Sequence, residues 1–170
     1  MRANAEQIRG LLGDRKVIEA KDRAIYYSSW HYAAVHMLLT IDQFHSPAKI
    51  ADQLHLSLPR VNEIIDVLRK MAIITISDNC YEVIMDSVHL DNEAPEIKHH
   101  HVNLRHKAIQ SLTEHNDSNN LHFSTFLTCG VKDIARIRKK LLKTIKECSQ
   151  MIQDSKPEEA AGMNIDFYQL

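Results

Sequence analysis

The stretch from residue 46 to residue 85 constrains the fold more than any other part of the chain. Ser46 followed by Pro47 is typical of a helix start, because the hydroxyl can cap exposed N–H groups and proline has no N–H to satisfy. Ser57 can cap a second helix, whose apolar residues recur at helical spacing: Val61, Ile64, Ile65 and Leu68. The pattern predicts a short helix, a tight turn and a longer helix.

The turn between these predicted helices has the spacing of a helix-turn-helix. Ala51 lies four residues before the turn position His55, and Val61 and Ile64 follow in the second helix. A small residue at the position of Ala51 lets the two helices cross closely. His55 departs from the usual pattern, since glycine adopts the positive φ of such turns freely and histidine only at some cost.

After the second helix the hydrophobic pattern changes to that of strands. Residues 74–77 and 80–84 are predicted to pair as a hairpin, because Asp78 and Asn79 tolerate the conformations of a two-residue connection. A helix-turn-helix followed by a hairpin is the outline of a winged helix. We therefore expect a mainly α fold with a small β part (α+β), an architecture that binds DNA, RNA and proteins alike.

Composition limits the possible functions. The 170 residues are 44% hydrophobic, enough for one sizeable core or two small ones. The three cysteines form no CxxC pair, and the four glycines form no phosphate-binding loop. No local spacing offers a nucleophile with its base, paired carboxylates or a metal cluster. We expect no catalytic residues, no cofactor and no metal.

Two further features bear on location and on metal binding. The N-terminus lacks an apolar signal region, and no stretch approaches the roughly 20 apolar residues of a membrane helix, so we expect a cytoplasmic protein with no membrane partner. The histidines of residues 99–101 point in three directions on a helix and do not converge on one ion. A partly exposed helix with titratable histidines is the preferred interpretation.

The chain is predicted to have three parts. Residues 1–22 form an N-terminal arm or linker, residues 23–90 the winged helix-turn-helix domain, and residues 91–170 a C-terminal α/β subdomain. The first helix of the domain is expected from Ala24 to Ile41.

The predicted C-terminal subdomain combines helices with two strands. A helix from Pro95 is followed by a strand at residues 121–128, a long helix from Val131 to about Gln153, and a returning strand at residues 163–170. Strands joined by a helix should be parallel. Because a two-stranded sheet is marginal alone, we expect the subdomain to pair in a homodimer.

Four of the ten aromatic residues lie close together, at Tyr26, Tyr27, Trp30 and Tyr32. Such a cluster is able to line an effector pocket, but large aromatic side chains more often fill a core or an interface, which is the interpretation we favour.

Several segments also carry a resemblance. YYSSWHYAAVHMLL at 26–39, NLRH at 103–106, FSTFLTC at 123–129 and MNIDFYQL at 163–170 occur in this order. They resemble the C-terminal half of a bacterial regulator-like family catalogued as a domain of unknown function (4423 type), from about residue 20 onward. In that family a further helix-turn-helix segment usually precedes this half, and it is absent from this sequence. The resemblance implies transcription regulation, while DNA binding loses its best support.

Charge separates the two functions that remain. Between residues 46 and 97, four basic residues stand against nine acidic ones, a net charge of −5, and residues 71–97 contain no Lys or Arg. Since neutralisation of phosphates provides most non-specific affinity for DNA, we favour a non-catalytic regulatory protein that acts through protein contacts or dimerisation. Its predicted contact residues are Asp78, Asn79 and Glu82. The alternative is binding of duplex DNA by the helix of residues 58–70, through Arg60, Asn62, Arg69 and Lys70.

The long C-terminal helix has a basic face. Arg136, Lys139, Lys140 and Lys143 form its centre. Such a run is usually a solvated face, but it also suits phosphate or the acidic hairpin of a neighbouring subunit.

Overall fold

A computed structural model describes residues 18–77, 80–85, 88, 94–113 and 119–170. These residues form six α-helices and one antiparallel pair of strands, so the fold is α+β as predicted. The elements in chain order are α1 (Ala20–Tyr26), α2 (Trp30–Leu39), a 3-10 turn (Asp42–Phe44), α3 (Pro47–Leu54), α4 (Leu58–Lys70), β1 (Ile74–Ser77), β2 (Cys80–Val83), α5 (Ile97–Ser111) and α6 (Val131–Gln153).

The chain divides into two compact units, each described by itself. Among the described residues, the first unit contains 18–77, 80–85, 88, 94–107 and 157–163. The second unit contains 108–113, 119–156 and 164–170. The domain boundaries predicted at residues 22 and 90 stay predictions.

The prediction of a single helix from Ala24 to Ile41 is wrong, because α1 ends at Tyr26 and a second helix begins at Trp30. The Ser29 side chain accepts a hydrogen bond from the His31 N–H at 3.3 Å and so starts α2 as a separate helix. Because α2 begins as a separate helix, the directions of its side chains do not continue those of α1. The residues of α2 that are buried are therefore Tyr32, Val35, His36, Leu38 and Leu39.

The turn between α3 and α4 follows the prediction closely. His55 adopts the left-handed conformation (φ 52°, ψ 41°), and Ala51 is buried where the helices meet. Ser57 caps α4 by accepting from the Arg60 N–H at 3.4 Å. The predicted hydroxyl cap of Ser46 is wrong: its backbone carbonyl accepts from the Ile50 N–H, but its side chain makes no capping bond.

The hairpin has the predicted register. Ile74 pairs with Val83 and Ser77 with Cys80, which leaves a two-residue connection at 78–79. Asp78 and Asn79 themselves lie outside the described residues. β2 ends one residue earlier than predicted. The Ile84 N–H still donates to the Ile73 carbonyl at 2.9 Å, but the Ile73 N–H donates to the Leu68 carbonyl at 3.0 Å and not back to Ile84.

The core of the first unit is built where α2, α3, α4 and the hairpin meet. The stripe predicted on α4 is buried in full. It packs with other buried side chains of the unit, among which the fully buried apolar ones are Val35, Leu39, Ile50, Ile73 and Ile74. Removal of this apolar surface from water is the main source of stability for the unit.

Both strands predicted in the C-terminal half are wrong, although α6 occupies the predicted range. Residues 121–130 and 163–170 have no regular secondary structure, so no β-α-β unit forms within the described chain. The segment 121–129 makes no backbone–backbone hydrogen bond with any described residue. A strand needs a hydrogen-bonded neighbour, which strand propensity does not supply.

Candidate functional site

The exposed side of α4 is electrically balanced. Asn62, Asp66 and Arg69 follow one another at four and three residues and therefore form one row on the helix surface. Arg69 Nη2 donates to Asp66 Oδ1 at 3.2 Å. Lys70 is exposed at the end of the helix. The structure thus places three of the predicted nucleic-acid residues on one surface, with a carboxylate in the middle of the row.

Arg60 lies apart from this row. It is two residues before Asn62, about 200° away around the helix, and its guanidinium carbon stands 5.6 Å from the centre of the Tyr32 ring. Its Nη1 donates to Glu63 Oε2 at 2.6 Å, and this bond raises the pKa of Arg60. The four residues predicted for nucleic-acid contact therefore do not form one patch.

The aromatic residues at the start of α2 were identified in the sequence, but their contacts with cations were not predicted. Lys107 Nζ stands 5.2 Å from the centre of the Trp30 ring, and the rings of Trp30 and His31 are 4.0 Å apart. Burial lowers the pKa of His31, and the charges of Arg60 and Lys107 lower it further. The aromatic run was visible in the sequence, but no local signal indicated Lys107, which comes from α5.

Tyr26 and Tyr27 belong to the core, each only 4% exposed. The Tyr26 hydroxyl is 2.9 Å from His36 Nδ1, and His36 Nε2 is 2.6 Å from the Met85 carbonyl oxygen. Because a carbonyl only accepts, Nε2 carries the proton and Nδ1 accepts from the hydroxyl, while burial raises the pKa of Tyr26. This buried chain of hydrogen bonds links α1 and α2 to the end of the hairpin.

Tyr27 also holds α5. Its carbonyl accepts from Asn103 Nδ2 at 2.9 Å, and the ring of His100 meets its ring edge-on at 4.8 Å. Burial lowers the pKa of His100 to about 4, with smaller effects from His101 and Arg105. Within the described ranges, no three His, Cys, Asp or Glu side chains are grouped as metal ligands would be.

The outer part of the hairpin combines an acidic and an apolar surface. Glu82 is exposed on β2 opposite Thr75. Ile76 on β1 and Ile84 just after β2 are each 46% exposed, and Ile76 pairs with the half-buried Tyr81. Of the three predicted protein-contact residues, only Glu82 is described. Because side chains alternate along a strand, it lies on the same face as Ile84 and on the opposite face from Ile76.

Comparison with known proteins gives one result. The family model described as Domain of unknown function (DUF4423) matches residues 13–170. The chain belongs to this family. No curated protein and no solved structure matches it. For this DUF4423 protein, any function must therefore be argued from its own surfaces.

The predicted basic patch of this DUF4423 protein lies on α6. Arg136 donates to Asp133 at 2.7 Å, Lys143 stands 3.5 Å from Glu147, and Lys139 and Lys140 are exposed. In the described part of the chain, no helix is both long enough and apolar enough to span a bilayer, and α6 has the length but not the apolarity.

Proposed function

We propose that this DUF4423 protein is a non-catalytic winged-helix regulatory protein, similar to transcription regulators, that acts mainly through protein contacts and dimerisation. Helices α2, α3 and α4 followed by the antiparallel hairpin have the element order of a winged helix-turn-helix, with α4 in the place of the recognition helix. One observation carries the proposal. Each of the two arginines on α4 is hydrogen-bonded to a carboxylate of the same helix.

These carboxylates reduce the attraction of α4 for DNA. Exposed ion pairs contribute at most about 1 kcal/mol, so phosphate is able to compete for the arginines. However, a phosphate that approaches Arg60 or Arg69 also approaches Glu63 or Asp66, which repel it. Beyond the helix, residues 71–97 offer no Lys or Arg to a neighbouring phosphate. Both terms lower the counterion-release contribution on which duplex affinity depends.

The hairpin surface is suited to a protein partner with basic side chains. Ile84 supplies exposed apolar surface, and Glu82, two residues before it on the same face of the hairpin, supplies negative charge beside it. Interfaces commonly have an apolar centre and a polar rim, with charges that complement those of the partner. A regulatory contact on this surface requires no catalytic group.

DNA binding is tested by a fluorescence titration with random duplex DNA at low and moderate salt. We expect wild-type binding weaker than about 10 μM, since the surface neutralises few phosphates. Glu63→Gln combined with Asp66→Asn should tighten binding, because it removes only the repelling charges. Micromolar wild-type binding with a steep salt dependence, abolished by Arg69→Glu, would overturn the proposal.

Protein binding is tested by chemical cross-linking in cells, followed by recovery of the tagged chain. We expect a specific cross-linked partner that is lost with Glu82→Lys and with Ile84→Asp, because both residues lie on the same face of the hairpin. Glu158→Lys is the matched control, since it reverses an exposed acidic charge outside the hairpin. A partner retained by both hairpin variants, or lost equally with the control, would contradict the assignment of this surface.

Direct binding of duplex DNA by α4 is the second candidate. Asn62, Arg69 and Lys70 share an exposed surface on a helix capped by Ser57, an arrangement able to contact base edges and phosphates. The titration described above decides between the two candidates.

A further inference from the structure

The described part of the second unit has no buried side chain: residues 108–113, 119–156 and 164–170 are all at least partly exposed. Just before α6, Leu121 is 91%, Phe123 82% and Phe126 78% exposed. Large apolar side chains at this exposure lower the solubility of a monomer and are typical of an interaction surface.

Helix α6 shows the same property along its length. Its apolar stripe is half-buried at best, and Val131, Met151 and Ile152 at its ends are mostly exposed. An amphipathic helix of 23 residues normally buries such a stripe against other elements. Five basic residues lie on the opposite side of the helix: Lys132, Arg136, Lys139, Lys143 and Lys146.

We name residues 121–130, the segment before α6, the arm. Its backbone takes part in no regular secondary structure. Residues 121–129 make no backbone–backbone hydrogen bond with another described residue, and every residue of the arm is exposed. Phenylalanine and threonine, which favour strands, occupy four of its ten positions. An extended segment of this kind pairs readily with another strand.

The exposed apolar area is large enough for a stable dimer. The residues concerned in the second unit are Leu121, Phe123, Phe126, Leu127, Val131, Met151, Ile152, Tyr168 and Leu170. With a large apolar side chain contributing on the order of 100–200 Å², they expose roughly 1,000 Å² per chain. A standard interface requires about 800 Å² from each partner.

We propose that a second copy of this chain covers this surface, with the two arms paired antiparallel about a two-fold axis. A pairing centred on Ser124 and Thr125 places Phe123 opposite Phe126 of the other copy, an aromatic cross-strand pair. The formal net charge of −1 creates little repulsion between copies, and joining the apolar sides of α6 keeps the basic sides apart in solvent. The inference rests on the proposed regulatory function, because it names one of the protein contacts through which that function acts.

The test is sedimentation velocity of the purified full chain from about 1 to 50 μM. We expect wild type to sediment at twice the 19.6 kDa chain mass. Phe123→Asp combined with Phe126→Asp should weaken the dimer roughly 100-fold or more, because two buried aromatic anchors become charged. Circular dichroism of the same samples should show an unchanged fold, since neither side chain belongs to a buried core.

Ile84→Asp is the control, because it places a negative charge on an exposed apolar position of the hairpin and should leave the dimer intact. A wild-type chain that stays monomeric at the highest concentration would overturn the inference. So would a dimer that survives the combined Phe123→Asp and Phe126→Asp variant. Loss of the cross-linked partner with Ile84→Asp while the dimer persists, or the reverse, separates failure of the proposed function from failure of this inference.

Discussion

Helices α4 and α6 have equally regular apolar stripes, but only α4 buries its stripe. On α4, Val61, Ile64 and Leu68 are fully buried, whereas no residue of α6 is buried. The difference lies in the surroundings. α4 packs against α2, α3 and β1 within the same chain, while the arm beside α6 in sequence provides no layer of regular structure. An amphipathic pattern therefore indicates which face of a helix must be covered, but it does not indicate which element or which other chain covers that face.

The difference between the two helices is tested most directly by replacing one leucine in each with alanine. Leu68→Ala should lower the free energy of unfolding by about 3 kcal/mol, because it leaves a cavity in a closed core. Leu141→Ala should cost less than about 1 kcal/mol in dilute, monomeric protein, since Leu141 is only half-buried. Urea unfolding followed by circular dichroism measures both. Equal losses would show that α6 has a core of its own.

The buried histidine allows the comparison to be sharpened within the first unit. His36→Leu should cost about 2 kcal/mol, because the Tyr26 hydroxyl and the Met85 carbonyl lose this partner beside a fully buried side chain. Tyr26→Phe should cost about 1 kcal/mol. In a double-mutant cycle from the same urea curves, the double variant should lose less than the sum of the single variants. Strict additivity would mean that the hydrogen bond contributes nothing.

The smallest expected effect concerns the attachment of α5 and depends on pH. Because burial lowers the pKa of His100 from 6.5 to about 4, the folded state favours the neutral ring. Its contribution is complete above about pH 6.5 and is lost as the pH falls towards 4, a change of about 1 kcal/mol since water still reaches part of the ring.

Urea unfolding at several pH values tests this expectation. His100→Gln should flatten the fall in stability between pH 6.5 and 4, whereas His99→Gln, which removes an exposed histidine from the same helix, should retain it. An identical flattening in both variants would assign the effect to the histidine run as a whole.

Sequence reasoning succeeded where a local pattern and its packing partner lie close together in the chain. The turn at His55, the buried stripe of α4 and the register of the hairpin all follow from spacings of a few residues. It failed between α1 and α2, where Ser29 starts a new helix although apolar residues continue to recur at helical spacing across this point. It also missed the contact between Trp30 and Lys107, because cation–π contacts between distant segments leave no periodic signal.

The sequence by itself determined the helix of residues 131–153, the hairpin register, the charge balance of residues 46–97 and membership of the DUF4423 family. Tertiary structure alone decided that Lys107 lies over the ring of Trp30, that His36 is the polar residue described in the core, and that the arm has no strand partner among the described residues. The reason is physical. Propensity and periodicity act over one or two turns of chain, whereas hydrogen-bond pairing and burial depend on which distant surfaces meet.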